Sequence, residues 1–232
     1  MSIRKISAIF KKQIKDTFKN KGVLVQFIMF PLMAVIMEGT IKIENMPKGY
    51  FVLLFATMFI GMSPLISMAA IISEEKEKNT LPMLMMSNVK ASEYLIGVGS
   101  YLYLICSIGT CIFGVVGGYK DADFARFFGI MSVGILIAIA IGAVIGLLCK
   151  NQMAETSISV PVMIIFSFLP MISMFNETIG KVSRFTYSQQ INNLISSIRG
   201  EAVGIESIII LGINLVVVVG LFGVAYRRRE IG

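Results

Sequence analysis

Apolar and polar residues alternate along this chain on the scale of whole helices. Six long apolar runs, roughly 22–40, 50–72, 94–118, 125–149, 156–176 and 205–226, are separated by short polar stretches. About 20 apolar residues in helical form cross a bilayer core, so each run predicts one transmembrane helix. Pro161 and Pro170 interrupt the fifth run, which predicts a kinked or broken span. Ahead of the runs, Ile3, Ile6, Phe10, Ile14 and Phe18 step by three or four, and Arg4, Lys5, Lys11, Lys12, Lys15 and Lys19 fill the rest. That period predicts a basic amphipathic helix over 1–21, in the membrane plane, its apolar side in acyl chain and its lysines among anionic headgroups. The basic region is too long for a signal peptide, and no small-residue cleavage site follows it. Residues 22–232 then make one six-helix membrane domain of an all-α, polytopic fold.

The connections differ in character. Residues 41–49 and 119–124 are short connectors. The stretch 177–204 is longer and places Ile191, Leu194, Ile195 and Ile198 among Gln189, Gln190, Asn192 and Asn193. Such spacing predicts a short amphipathic helix resting at, or dipping into, the outer interface. On the fourth span, Gly134, Ala138, Gly142 and Gly146 recur every four residues. A ridge of small residues lets another backbone approach closely, so it marks a packing interface, within the chain or between copies.

Composition fits this picture. The 232 residues are 56% hydrophobic and 15% charged, whereas soluble domains carry about 25% charged residues. The net charge of +7 raises the question of nucleic acid, and its distribution answers it. With the N-terminus inside, the cytosolic segments hold fourteen Lys and Arg and the outer ones seven. The bias puts both termini in the cytosol and assigns the lysines to lipid headgroups rather than to nucleic acid.

Several chemistries are disfavoured. There is no histidine, which removes the usual general base and the commonest zinc ligand. Cys106, Cys111 and Cys149 read as buried thiols, with no disulfide and no metal site. The spans are nearly free of charge, with Glu38 at the outer end of the first and Glu155 at the inner end of the fifth. Ion-coupled pumps need ionisable groups near mid-membrane, and an intramembrane protease needs a base for its nucleophile. Neither is present.

The most informative stretch is the cytosolic loop 73–93, a charge run followed by Leu81, Met83, Leu84, Met85 and Met86. An apolar cluster outside the membrane calls for a partner surface, in the helix-in-groove manner. The run Glu75-Lys-Glu-Lys-Asn-Thr80-Leu, then Leu84, Ser87-Asn-Val and Glu93-Tyr-Leu-Ile-Gly97, resembles the first cytosolic loop of type 2 ABC-transporter permeases. The elbow-like first helix, six spans, inner termini and helical outer segment extend the resemblance over essentially the whole chain. Three positions depart from it: Asn79 for the usual Gly, Asn88 for Pro and Val98 for Lys.

The resemblance implies a coupling helix that seats in a cleft of a separate cytosolic ATPase. Glu75, Glu77 and Thr80 would fix the start of that helix, Leu84, Met85 and Met86 would fill the cleft, and Ser87 and Glu93 would close the return. No G-x-x-x-x-G-K-[ST] occurs, so ATP and Mg would be bound by the ATPase and this chain would hold no cofactor. Two permeases, identical or related, would pair with two ATPases in a plasma membrane, in a bacterium. Met58, Phe59 and Met62 on the second span, with Met163, Phe166 and Met171 on the fifth, form a candidate cargo path. The small permeases most resembled imply export of amphipathic peptides. Lipophilic drugs are the alternative cargo, and a non-transporting immunity or sensor subunit the alternative role.

Overall fold

A computed structural model of the chain describes residues 2–19, 21–41, 47–198 and 204–230. Among them every regular element is a helix: α1 Ile3–Lys19, α2 Lys21–Thr40, α3 Tyr50–Glu77, α4 Thr80–Met86 and α5 Ala91–Val116 come first. α6 Asp121–Leu148, α7 Gln152–Ser173, α8 Glu177–Ser183, α9 Tyr187–Ser197 and α10 Ile205–Glu230 follow. Five of them (α3, α5, α6, α7 and α10) are long and apolar enough to cross a membrane. The sixth candidate is α1 with α2, whose Ile3–Lys19 and Leu24–Thr40 parts are inclined at 72°. The 20 residues of α2 alone make about 30 Å of helix. The chain is a membrane-embedded all-α protein.

One predicted boundary moves, and one predicted break is absent. α3 runs on past residue 72 through Glu74, Glu75 and Lys76 to Glu77, because Glu and Lys sustain a helix nearly as well as Leu does. α7 passes through both Pro161 and Pro170 as one continuous helix, so neither proline breaks the span.

α3 is the axis of the bundle, and glycines let its neighbours close on it. A methyl group placed at Gly142 would lie 2.2 Å from the Leu65 carbonyl oxygen. At Gly146 it would lie 2.9 Å from Ile72 Cβ, and at Gly134 2.9 Å from Ile60 Cγ2. Ala138, between them, is fully buried. The small-residue ridge of α6 is therefore a seam within the chain. On another side of α3, a methyl at Gly61 would lie 2.6 Å from the Phe166 backbone of α7.

Polar groups inside the bundle are paired between helices. Gln26 of α2 donates to the Ser63 carbonyl at 3.1 Å, and Ser63 returns a bond to the Gln26 carbonyl at 3.1 Å. Pro64, lacking an N–H, leaves the Ile60 carbonyl without its helical donor. The Tyr187 hydroxyl, from α9, donates to that carbonyl at 3.3 Å. Five residues on, Asn192 donates to the Thr57 hydroxyl at 3.1 Å. The stretch expected to hold one amphipathic helix thus holds two, and α9 is inserted into the bundle with Tyr187 and Ile191 fully buried. Lys42 and Arg199, counted above among the outer basic residues, lie outside the described residues.

Two expectations need correction at side-chain level. Cys106 and Cys149 are buried, but Cys111 is exposed, since one face of a peripheral span looks outward. On α1, the deeply buried stripe is Ile9, Gln13 and Thr17 rather than the predicted apolar set. Ile6, Phe10 and Ile14 are half-buried at its edge, and Ile3 and Phe18 stand exposed.

Candidate functional site

Two asparagines frame α4. Asn79 has φ 54 and Asn88 φ 63, both left-handed, a conformation that Asn tolerates better than most residues. At the first, the Asn79 N–H donates to the Lys76 carbonyl at 3.0 Å. The Thr80 hydroxyl donates to the Glu75 carbonyl at 3.0 Å. At the second, Asn88 N–H meets the Met85 carbonyl at 3.0 Å and Val89 N–H the Leu84 carbonyl at 3.2 Å. This 5→2 and 6→1 pair ends a helix on a left-handed residue. Asn79 thus stands in for glycine without strain of consequence. Asn88 cannot be exchanged for proline, whose φ is locked near −65°. Val98 is fully buried on α5, where a lysine would have to be desolvated.

The charge run 75–77 belongs to the bundle. Successive residues on a helix point about 100° apart, so three in a row reach three neighbours. Glu75, 6% exposed, accepts from Lys12 Nζ at 2.7 Å and from Gln13 Nε2 at 2.9 Å, both on α1. Lys76 Nζ donates to the carbonyls of Gly146 and Leu147, each at 2.6 Å, and of Cys149 at 2.8 Å. It closes the C-terminus of α6, where orphan carbonyls favour a cation. Glu77 accepts from the Gln152 N–H at 2.9 Å, at the first turn of α7, where a carboxylate is favoured. Neither Glu caps α4, the role expected of them, because both lie on α3 and point back at its neighbours. Glu75 Oε2 and Tyr94 Oη are buried with no hydrogen-bond partner among the described residues.

Glu93 completes the attachment. Its Oε2 accepts from Lys90 N–H at 3.1 Å, and its Oε1 from Ser2 N–H at 2.6 Å. Lys5 lies 4.0 Å away and also donates to the Asn88 carbonyl. Farther along α1, Ile9 covers Gly97, Phe10 meets Tyr101 edge to face at 6.2 Å, and the Tyr101 hydroxyl donates to Thr17. Lys78, at the exposed corner, is paired with Glu74, which raises its ammonium pKa above the usual value.

α4 divides into two faces. Leu81, Leu84 and Met85 are half-buried and pack against the bundle. Met83 is 66% exposed and Met86 87% exposed, with Ser87 exposed beside them. The outward apolar pair is thus Met83 and Met86, with Leu84 and Met85 turned inward. The sequence hint for the bundle contacts was Gln13 and Thr17, polar residues four apart on the apolar edge of α1. Lys12 and Lys76 gave no such hint.

The candidate path residues are only partly together. Met58 and Met171 line one cleft between α3 and α7, with Thr57, Ser167 and Asn192, and its free space is about 10 Å³. That is at the lower limit for one water molecule, so the cleft is shut. Phe59 is fully buried against Phe113 and Phe30, as core. Phe166 packs on Tyr187 at 4.8 Å, while Met62 and Met163 are half-buried. At the other end of α7, Gln152, Met153, Thr156, Ser157, Val160 and Pro161 form an open face of that one helix.

A comparison with known families finds one match, ABC-2 family transporter protein, over residues 44–227. It takes in α3 to α10, with α4 and its mounts on α3 and α5, and leaves α1 and α2 outside. No curated protein matches the chain. The match spans well over half the chain and coincides with an all-helical membrane bundle, so the protein belongs to the ABC-2 transporter family, as a membrane-embedded permease.

Proposed function

We propose that this chain is the permease subunit of an ABC exporter for amphipathic peptides, driven by a separate ATPase that binds ATP and Mg. The observation that carries this reading is the mounting of α4. The helix holds Met83 and Met86 outward as an unpartnered apolar pair. Its flanks are bonded to α1, α6 and α7 through Glu75, Lys76 and Glu77, and to α1 again through Glu93 on α5. A push on α4 therefore reaches α1, α6 and α7 at once, through its mounts on α3 and α5. An ATPase cleft that receives Met83 and Met86 supplies the push, in the helix-in-groove manner.

Two permease copies with two ATPases make the working unit, in a plasma membrane with α4 and both termini on the cytosolic side. The peptide assignment is supported by the open face of α7, which sets Thr156 and Ser157 beside Met153, Val160 and Pro161. Such a face suits a cargo with one greasy and one polar side.

Co-purification tests the reading. The wild-type chain should retain an ABC ATPase, and Met83→Asp with Met86→Asp should lose it while the unfolding temperature stays unchanged. ATPase activity of the complex should rise with amphipathic peptides. Retention by the double variant would refute the docking role. Stimulation by sugars and not by peptides would refute the cargo.

A further inference from the structure

α1 has three faces. At about 100° per residue, Ile9, Gln13 and Thr17 share the arc that packs on α5. Ile3 and Phe18, 84% and 72% exposed, share the next arc with Phe10 and Ile14. The third arc holds Arg4, Lys5, Lys11, Lys12, Lys15 and Lys19. The two cations nearest the bundle are engaged within the chain: Lys5 with Glu93 and Lys12 with Glu75. Arg4, Lys11, Lys15 and Lys19 are exposed and have no ion pair among the described residues.

We infer that α1 is a sensor for anionic phospholipid, wired to α4. The four unpaired cations lie beside an exposed apolar arc on a helix that leads into α2. A partner that is anionic and apolar side by side fits both arcs, and a phospholipid with an anionic headgroup is such a partner. Nucleic acid or an acidic protein surface would leave Ile3 and Phe18 bare. The wiring follows from adjacency along the helix. Lys11, which faces lipid, is followed by Lys12 and Gln13, which hold Glu75 at the end of α3. Lipid that settles α1 therefore stabilises the same geometry that holds Glu75 and, through Glu93, the return from α4. By linkage, the seating of α4 and lipid binding must favour each other. The wiring to α4 rests on the reading of α4 given above; the lipid site does not.

The test uses the purified full-length chain without any ATPase. In detergent, phosphatidylglycerol should raise the unfolding temperature and phosphatidylcholine should not. Inorganic phosphate and glycerol phosphate, which lack the acyl chains, should have no effect. Each cation near an anionic surface contributes about fivefold in affinity. The variant R4Q/K11Q/K15Q/K19Q should therefore bind phosphatidylglycerol at least about tenfold more weakly. Hydrogen exchange reads the wiring: phosphatidylglycerol should slow exchange over 73–89 in the wild type. In Lys12→Gln it should still bind yet leave 73–89 unchanged. A fourfold variant that responds to phosphatidylglycerol like the wild type overturns the lipid site. Equal protection of 73–89 in Lys12→Gln overturns the wiring.

Discussion

The Lys76 ammonium, carried by α3, donates to the Gly146 carbonyl at 2.6 Å and so ends α6 with a charge from another helix. Leu147 and Cys149 share the same ammonium. Lys76→Met should free these carbonyls and destabilise the chain by about 1.5–3 kcal/mol, the range for hydrogen bonds to a charged group. Lys76→Arg should recover part of it. Thermal unfolding of the purified protein in detergent measures both.

The α6–α3 seam should tolerate no side chain at residue 142. Gly142→Ala meets the Leu65 carbonyl, which is backbone and cannot rotate away. The expected loss is at least about 1–3 kcal/mol, as for overpacked cores. Gly212→Ala, with nothing within 4 Å of the added methyl, should be neutral or slightly stabilising. A fall in unfolding temperature for Gly212→Ala as large as for Gly142→Ala would count against this packing.

Tyr187 and Pro64 should behave as a coupled pair. Tyr187→Phe removes the donor to the Ile60 carbonyl and should destabilise by about 1–3 kcal/mol. In a Pro64→Ala background the Ile60 carbonyl regains a helical donor, so the same substitution should have little effect. A double-mutant cycle on stability with no coupling between the two would remove this account of the α9 anchor.

The two turns around α4 should respond in opposite ways. Asn79→Gly relieves a left-handed residue of its side chain and should be neutral or stabilising by up to about 1 kcal/mol. Asn88→Pro is incompatible with φ 63 and should destabilise by more than about 1 kcal/mol. Unfolding temperature, with ATPase retention alongside, reads both.

Much of the architecture was legible in the sequence, because period and hydropathy are local properties. The apolar runs match α2, α3, α5, α6, α7 and α10, and the four-residue recurrence of Gly134, Ala138, Gly142 and Gly146 marked a close approach. What approaches, α3, was not legible, since a ridge carries no address for its partner. The family resemblance assigns Glu75 and Glu77, within the charge run 75–77, to the start of α4. In space the run belongs to α1, α6 and α7, because α3 persists beyond the apolar run and fans its side chains around itself. The face of α4 was equally hidden. Leu84 and Met86 are both apolar, and only the turn at Asn79 decides which looks outward.

α3 is one continuous helix of 28 residues, held by Tyr187 and Asn192 through Ile60 and Thr57 in its first half and continuing towards α4 at its C-terminal end. A helix held at two places is not adjusted at one of them in isolation. Substitutions around α9 should therefore alter how readily α4 shifts, and lesions that look remote from nucleotide-driven motion will read as defects of transmission.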